Sequence, residues 1–376
     1  MELHQFKAGT FRREYQYRSF LPEQVHHEWV LTSPKVVSLL SEANRLIGEL
    51  NAFSQYIPDV DFFIMMHVVK EATTSSRIEG TQTSIEEALL SAEDLSPERR
   101  DDWQEVHNYI DAMNVALAEL DRLPLSSRLL RQTHATLMQG VRGQHKQPGE
   151  FRTSQNWIGG ATLNDATFVP PHHTAVGELM SDLEKFINDE DLDVPALIVI
   201  AIAHYQFETI HPFLDGNGRL GRLLITLYLV SKGLLTRPTL YLSDFLERNR
   251  THYYTNLMLV RQNNDMEQWL RFFLVGVIET ARKSIDTLKA ILKLKEESEG
   301  QILNLHKRAP KGRQLLLELY KSPIITAGQV SARLAITPTT ANTLIRDLMG
   351  LGILREMTGY RRNRLFVFQQ YLDLFG

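Results

Sequence analysis

The stretch from His211 to Arg222 reads HPFLDGNGRLGR and concentrates groups suited to holding a polyphosphate. Gly216 and Gly218 let the backbone take conformations closed to other residues and come close to a ligand. The loop leads into a helix beginning near Arg219, whose free N–H groups and positive end favour an anion. Asn217 offers a neutral amide donor beside the same anion. Asp215 is a hard oxygen ligand of the kind Mg²⁺ takes together with phosphate oxygens. Arg219 and Arg222, three apart, project from one helix face toward the outer phosphates. His211 stands at the other lip, where a neutral imidazole can take a proton from an incoming hydroxyl. A lone DGNG is commonly a plain turn, and a lone His before Pro is commonly structural. The whole ordered string is what points to a nucleotide triphosphate. It is not the Walker A pattern, because Gly218 is followed by Arg219 and no GK[ST] occurs.

Helices must position this string. The run ALIVIAIAHYQFETI ahead of it is β-branched enough for a buried strand, but its length through His204, Tyr205 and Phe207 favours a buried helix. GRLLITLYLVSKGLL follows as a second helix. Upstream, SSRLLRQTHATLMQG and VGELMSDLEKFIN read as helices, and between them QNWIGG and ATFVPP read as two short strands of a hairpin. Lys35 to Phe53 places Val36, Leu39, Leu40, Ala43, Ile47 and Leu50 near a helical period. A second helix follows Pro58, with Asp59 or Asp61 as cap, and meets Gly80. Residues 1–34 show little periodicity and are expected to lie irregularly over the surface.

HPFLDGNGRLGR matches, without a departure, the signature HPFx(D/E)GNGRxxR of the Fic family, and the chain is identified as resembling it. The resemblance implies a mainly α fold: a helical core with a β-hairpin flap. It implies transfer of AMP from ATP to a Ser, Thr or Tyr hydroxyl of a target protein, with loss of pyrophosphate. By position, His211 would be the base and Asp215 would hold Mg²⁺. Gly216, Asn217, Gly218 and Arg219 would bind the α- and β-phosphates, Arg222 the γ-phosphate, and Phe213 would be a buried anchor. The family's phosphate-transferring branch has Lys where this chain has Gly218, which disfavours that chemistry. Gln155–Pro171 resembles the flap that clamps a target segment in extended form. Asn249 and Tyr253, in NRTHYY, resemble the adenine-pocket segment, with cap and core as their alternative roles. Ser75 and Glu79, in SSRIEG, match the inhibitory pattern (S/T)xxxE(G/N). The resemblance implies that Glu79 takes the γ-phosphate's place on Arg222; the alternative is a solvated Glu at a helix end. Some relatives use this Glu to help remove AMP from targets.

The C-terminal stretch reads helix, helix, turn, helix, hairpin, and resembles a winged helix-turn-helix. Thr337 would cap the third helix, with Thr339, Thr340, Asn342, Thr343 and Arg346 on its outer face and Arg361, Arg362 and Arg364 in the wing. From Leu305 to Gly376 there are eleven Lys/Arg against four Asp/Glu, a surplus of seven positive charges in a chain of net charge −4. Double-stranded DNA and a protein surface, including a second copy in a homodimer, both fit such a module. A DNA-bound regulator that senses nucleotide without transferring it is therefore the rival reading.

Length and charge suggest three regions: 1–123, helical and carrying the inhibitory helix; 124–299, the catalytic core; and 300–376, the winged helix-turn-helix, with Gly300 and the Lys307–Gly312 stretch marking the last boundary. The absence of cysteine removes disulfides, thiolate metal sites and a thiol nucleophile. The longest apolar run, Ala196–Ala203, is far short of the roughly 18 residues of a membrane span. The polar start suggests no export, and a cytoplasmic location is expected.

Overall fold

The computed structural model describes residues 1–56, 60–140, 143, 145–359 and 364–376. The N-terminal stretch forms an antiparallel hairpin, β1 (Gly9–Arg13) and β2 (Arg18–Pro22), with Phe11 opposite Phe20. Nothing in its alternation foretells this, because four of the five β1 residues are exposed. The hairpin is held from outside: Phe20 is fully buried, and its N–H donates to the Val169 carbonyl at 2.9 Å.

Helix α1 (Pro34–Tyr56) buries Val36, Leu40, Ala43, Ile47 and Leu50, the expected apolar stripe, and packs along α11 (Met266–Ile302). Helix α2 (Val60–Ile78) follows; Pro58 and Asp59 lie outside the described residues, as does the Asp61 side chain. Next come α3 (Ile85–Ala88), α4 (Arg100–Glu119), α5 (Ser127–Leu137) and α6 (Val176–Asn188). Ser126 caps α5 by accepting the Leu129 N–H.

The β-branched run is a helix, α7 (Ala196–Ile210), in which every residue from Leu197 onward is buried. A helix apolar all round belongs at the centre of a core. Here α6, α8 (Asn217–Ser231) and α11 surround it, and Trp269 of α11 donates its indole N–H to the Ala201 carbonyl at 2.8 Å. Short α9 (Ser243–Arg248) and α10 (Arg250–Asn263) bridge α8 to α11. Helix α11 runs straight through Gly300, so the boundary expected there falls inside an element. One glycine costs a helix only about 1 kcal/mol, too little to stop one of this length.

Beyond it lie α12 (Ala309–Lys321), β3 (Ile324–Thr326), α13 (Ala327–Arg333), α14 (Pro338–Gly350), β4 (Arg355–Glu356), β5 (Leu365–Val367) and α15 (Gln369–Leu372). The strands form an antiparallel sheet in the order β3-β5-β4. Strand β3 is an addition to the expected order, since three residues are too few to show a period. Thr337 caps α14, accepting the Thr340 N–H at 3.2 Å. Asn342 and Thr343 bond back to the Pro338 and Thr339 carbonyls of the same helix. Arg361 and Arg362 lie outside the described residues; Arg364 pairs with Glu356 at 3.2 Å. A last turn, Asp373–Phe375, buries Phe375 edge-on against His67 of α2. Among the described residues no helix is long and apolar enough to cross a membrane.

The expected hairpin over Gln155–Pro171 contracts to one bridge, Ile158 with Phe168. Pro170 and Pro171 have no N–H to extend a ladder. Side chains take its place: Gln155 donates to the Pro170 carbonyl at 3.0 Å and Arg152 to that of Pro171 at 2.6 Å.

Candidate active site

Helix α7 stops one residue before the motif. His211 takes a left-handed conformation (φ 50°, ψ 62°) while its N–H still closes the helix on the Phe207 carbonyl at 2.9 Å. Such a backbone costs a non-glycine residue about 1–2 kcal/mol and needs a surrounding structure to hold it. Arg152 does so. Its Nε donates to the His211 carbonyl at 2.9 Å, its main-chain N–H donates to that of Pro212 at 2.9 Å, and Asn156 adds a bond to His211 at 3.1 Å. The Arg152 guanidinium is buried and, among the described residues, bonds only carbonyls, those of Ser154, Pro171, Ile210 and His211. Burial pushes its pKa down to about 10. One side chain thus straps the flap segment to the motif. Sequence reasoning missed it, because an Arg in a glycine- and proline-rich loop carries no distinguishing signal.

The turn itself is built on Phe213, fully buried and stacked on the His134 ring at 3.9 Å. Asn217 accepts the Phe213 N–H and donates to the Phe213 carbonyl, both at 2.8 Å, and is 1% exposed. The sequence reading gave this amide to the anion; the structure spends both its ends on closing the loop. Gly216 has φ +74°, and a Cβ there would lie 2.7 Å from Met138 Sδ. His134 donates from Nε2 to the Asp215 carbonyl (2.9 Å) and accepts the Gly149 N–H at Nδ1 (2.8 Å). Burial holds its pKa near 4, so it is neutral at pH 7. Asp215 is exposed; its Oδ1 accepts the Gly216 N–H at 2.6 Å, and Oδ2 has no partner among the described residues.

The first bond within α8 runs from the Leu220 N–H to the Gly216 carbonyl at 3.1 Å, leaving the N–H groups of Asn217, Gly218 and Arg219 ahead of it. The two arginines do not share a target. Arg219 pairs with Glu105 of α4 at 3.0 Å. Arg222 donates from Nε to Ser75 Oγ (2.8 Å) and from Nη2 to the Ser75 carbonyl (2.9 Å) and to Glu79 Oε1 (2.6 Å). Ser75 lies in the last turns of α2 and Glu79 just past its end, so one helix terminus delivers both groups. The Arg222 side chain is 1% exposed and that of Glu79 36%. Burial opposes charge on both, yet their contact wins, raising Arg222 and lowering Glu79, so both are ionised. A Cβ on Gly218 would lie 2.2 Å from Glu79 Oε1. The carboxylate therefore stands directly over the open end of α8.

His211 keeps 19% of its side chain exposed, with Nδ1 turned toward the Glu208 carboxylate at 3.9 Å. Burial lowers its pKa to about 4, and burial raises Glu208 to about 7. A neutral imidazole facing the loop is the form a proton acceptor needs. Asn249 and Tyr253 both have their side-chain polar groups bonded within the fold. Asn249 joins α9 to α10 and donates to the Phe245 carbonyl at 2.9 Å. Tyr253 is 1% exposed with its hydroxyl on His204 Nε2 at 2.9 Å. Its neighbour Tyr254 is partly exposed, and the charges of Glu79 and Arg222 reach both rings.

Residues 37–118 match the Fic/DOC family N-terminal profile, and residues 124–229 match the Fic/DOC family profile. Together these matches span half of the chain, which belongs to the Fic/DOC family. It is 24% identical over 233 residues to Protein adenylyltransferase Fic of Drosophila erecta, covering 57% of this chain and 43% of that protein. It is 26% identical over 208 residues to Protein adenylyltransferase fic-1 of Caenorhabditis briggsae, covering 53% of this chain and 36% of that protein. The chain thus spans less than half the length of these curated relatives. Among solved structures, a Fic family protein from Desulfovibrio desulfuricans G20 superposes with a TM-score of 0.57 at 21% identity, over 91% of this chain and 98% of that one. A Fic domain containing signaling protein from Bacteroides thetaiotaomicron gives 0.52 at 19%, over 67% and 95%. These two likenesses speak for the fold, a mainly α one.

Proposed function

We propose that this chain transfers AMP from ATP onto a Ser, Thr or Tyr hydroxyl of a target protein, itself included, and that Glu79 holds it inactive. The observation that carries the reading is the Glu79 carboxylate seated on Arg222 over Gly218. An anion already occupies the place where the helix end and a buried guanidinium would receive the nucleotide's outer phosphate. With Glu79 withdrawn, the N–H groups at the start of α8 and the Arg222 guanidinium bind the triphosphate. Arg219 contributes charge and, through Glu105, fixes the helix start. His211 takes the proton of the target hydroxyl, whose oxygen bonds to the α-phosphorus as the bond to the pyrophosphate oxygen breaks; pyrophosphate leaves with the electron pair. Asp215 suits Mg²⁺, which takes few protein oxygens and fills its shell with water and phosphate. Its exposed Oδ2 is the fitting donor, and the ion would neutralise phosphate charge. The flap segment around Ile158 and Phe168 would hold the target chain by strand pairing.

Incubation with tagged ATP tests this. The wild type labels itself or lysate proteins weakly, the Glu79→Gly variant labels strongly, and a variant with both Glu79→Gly and His211→Ala not at all. Equal labelling of the first two removes Glu79 from the scheme, and labelling by the third removes His211.

For the C-terminal elements we propose a winged helix-turn-helix that docks on double-stranded DNA. The arrangement of α12, α13 and α14 beside a three-stranded sheet, with Arg346 exposed on α14, supports it. Binding to random duplex DNA that weakens steeply with salt is expected; salt-independent dimerisation without DNA binding would make the module a protein-docking one.

A further inference from the structure

Away from the loop, α2, α9, α11 and the C-terminal turn enclose a second cavity of about 40 Å³. Two ammonium groups line it, Lys70 of α2 and Lys283 of α11, and both lean on the single carboxylate of Asp244, at 3.7 and 3.1 Å. Arg248 reaches the same carboxylate at 3.4 Å, with Glu279 4.0 Å from its guanidinium. The cluster keeps a positive surplus. Burial pushes the Lys70 pKa down to about 8 although Asp244 opposes it, with Lys283 adding to the fall. Glu71 also lines the wall, but its carboxylate is spent on Tyr109 and Ser243, and burial raises its pKa toward the neutral form.

Hydroxyl groups complete the lining: Thr74, Tyr241, Thr280 and Ser284, each more than nine-tenths buried. Among the described residues the Tyr241 hydroxyl has no partner, an arrangement that costs free energy unless something fills the site. Buried helical hydroxyls ordinarily bond back to the carbonyl four residues earlier, as Thr73 does to Val69 at 2.7 Å. Among the described residues Thr74, Thr280 and Ser284 make no such bond. Unspent hydroxyl donors and surplus ammonium groups converging on one small cavity are what a compact anion needs. A space of this size holds about three waters, the footprint of one tetrahedral oxyanion and far less than a nucleotide.

We propose that this cavity binds a small oxyanion of the phosphate class, held by Lys70 and Lys283 with the Tyr241, Thr280 and Ser284 hydroxyls donating to it. The site is separate from the α8 loop and does not depend on AMP transfer. Because Lys70 and Thr74 lie on α2, which ends one residue before Glu79, a bound anion ties α2 to α11 and favours the arrangement with Glu79 in place.

Calorimetric titration of inorganic phosphate into the full chain tests the proposal, with thermal melts confirming that each variant is folded. The wild type takes up phosphate, and Lys283→Gln, at a half-exposed position, weakens binding about tenfold through loss of one charge-assisted contact. Tyr241→Phe weakens it as well, without altering charge. No uptake by the wild type would overturn the proposal. So would uptake that both variants leave unchanged, since that would place the phosphate outside this cavity.

Discussion

Replacing Glu79 by Gly removes a carboxylate that accepts a 2.6 Å bond from a guanidinium whose side chain is 1% exposed. Hydrogen bonds to charged groups are worth about 1.5–3 kcal/mol net, and the 36% exposure of Glu79 places this one toward the lower half of that range. In the proposed scheme ATP must break it before its own phosphate can reach Arg222. Its removal therefore raises ATP affinity by about 10–50-fold, at about 1.4 kcal/mol for each tenfold. Isothermal titration of ATP with Mg²⁺ against wild type and Glu79→Gly reads the affinity directly, and tagged-ATP labelling reads the consequence for transfer. Without nucleotide the variant melts lower, because Arg222 keeps only its two bonds to Ser75. Saturating ATP restores the loss by filling the same place. Affinities equal within twofold would refute the argument, since they would mean that ATP and Glu79 do not compete for Arg222.

Other outcomes follow from the same geometry. His211→Ala abolishes labelling while ATP affinity, measured by titration, stays within a few-fold, because the imidazole bonds no phosphate in this scheme. Gly216→Ala lowers stability by at least about 1–2 kcal/mol from its left-handed backbone, with overlap against Met138 adding to it, as denaturant unfolding would show. Glu208, raised to about 7 from an ordinary 4.5, loses stability as pH rises through that interval: its contribution is full below pH 4.5 and falls by about 3 kcal/mol by pH 8. Urea unfolding of wild type and Glu208→Gln from pH 5 to 8 should show this decline in the wild type alone. Arg152→Lys lowers the melting temperature and weakens labelling in the Glu79→Gly background, because one ammonium group cannot span the carbonyls that the guanidinium joins.

Much of the site was legible because its chemistry is local. Twelve consecutive residues carry the proposed base, the proposed acidic ligand, the turn glycines and the helix start, and chain connectivity alone keeps them adjacent. The α7 helix was legible from length, and α14 from a capping Thr before Pro. Strand β3 and the N-terminal hairpin were hidden, since three residues show no period and β1 buries almost nothing. The two-stranded flap was over-read: alternation was present, but paired prolines withdrew the donors that a ladder needs.

The residue types in HPFLDGNGRLGR, the spacing of Ser75 and Glu79, and the apolar stripes were settled by the chain itself, because each depends on neighbours within a turn or two. That Arg219 turns to Glu105 rather than toward the loop, and that Tyr253 is buried with its hydroxyl on His204, were decided only by packing. Each of those outcomes depends on where a distant helix sets its face, and a side chain's partner across 40 to 150 residues of chain is chosen by the shape of the shared core.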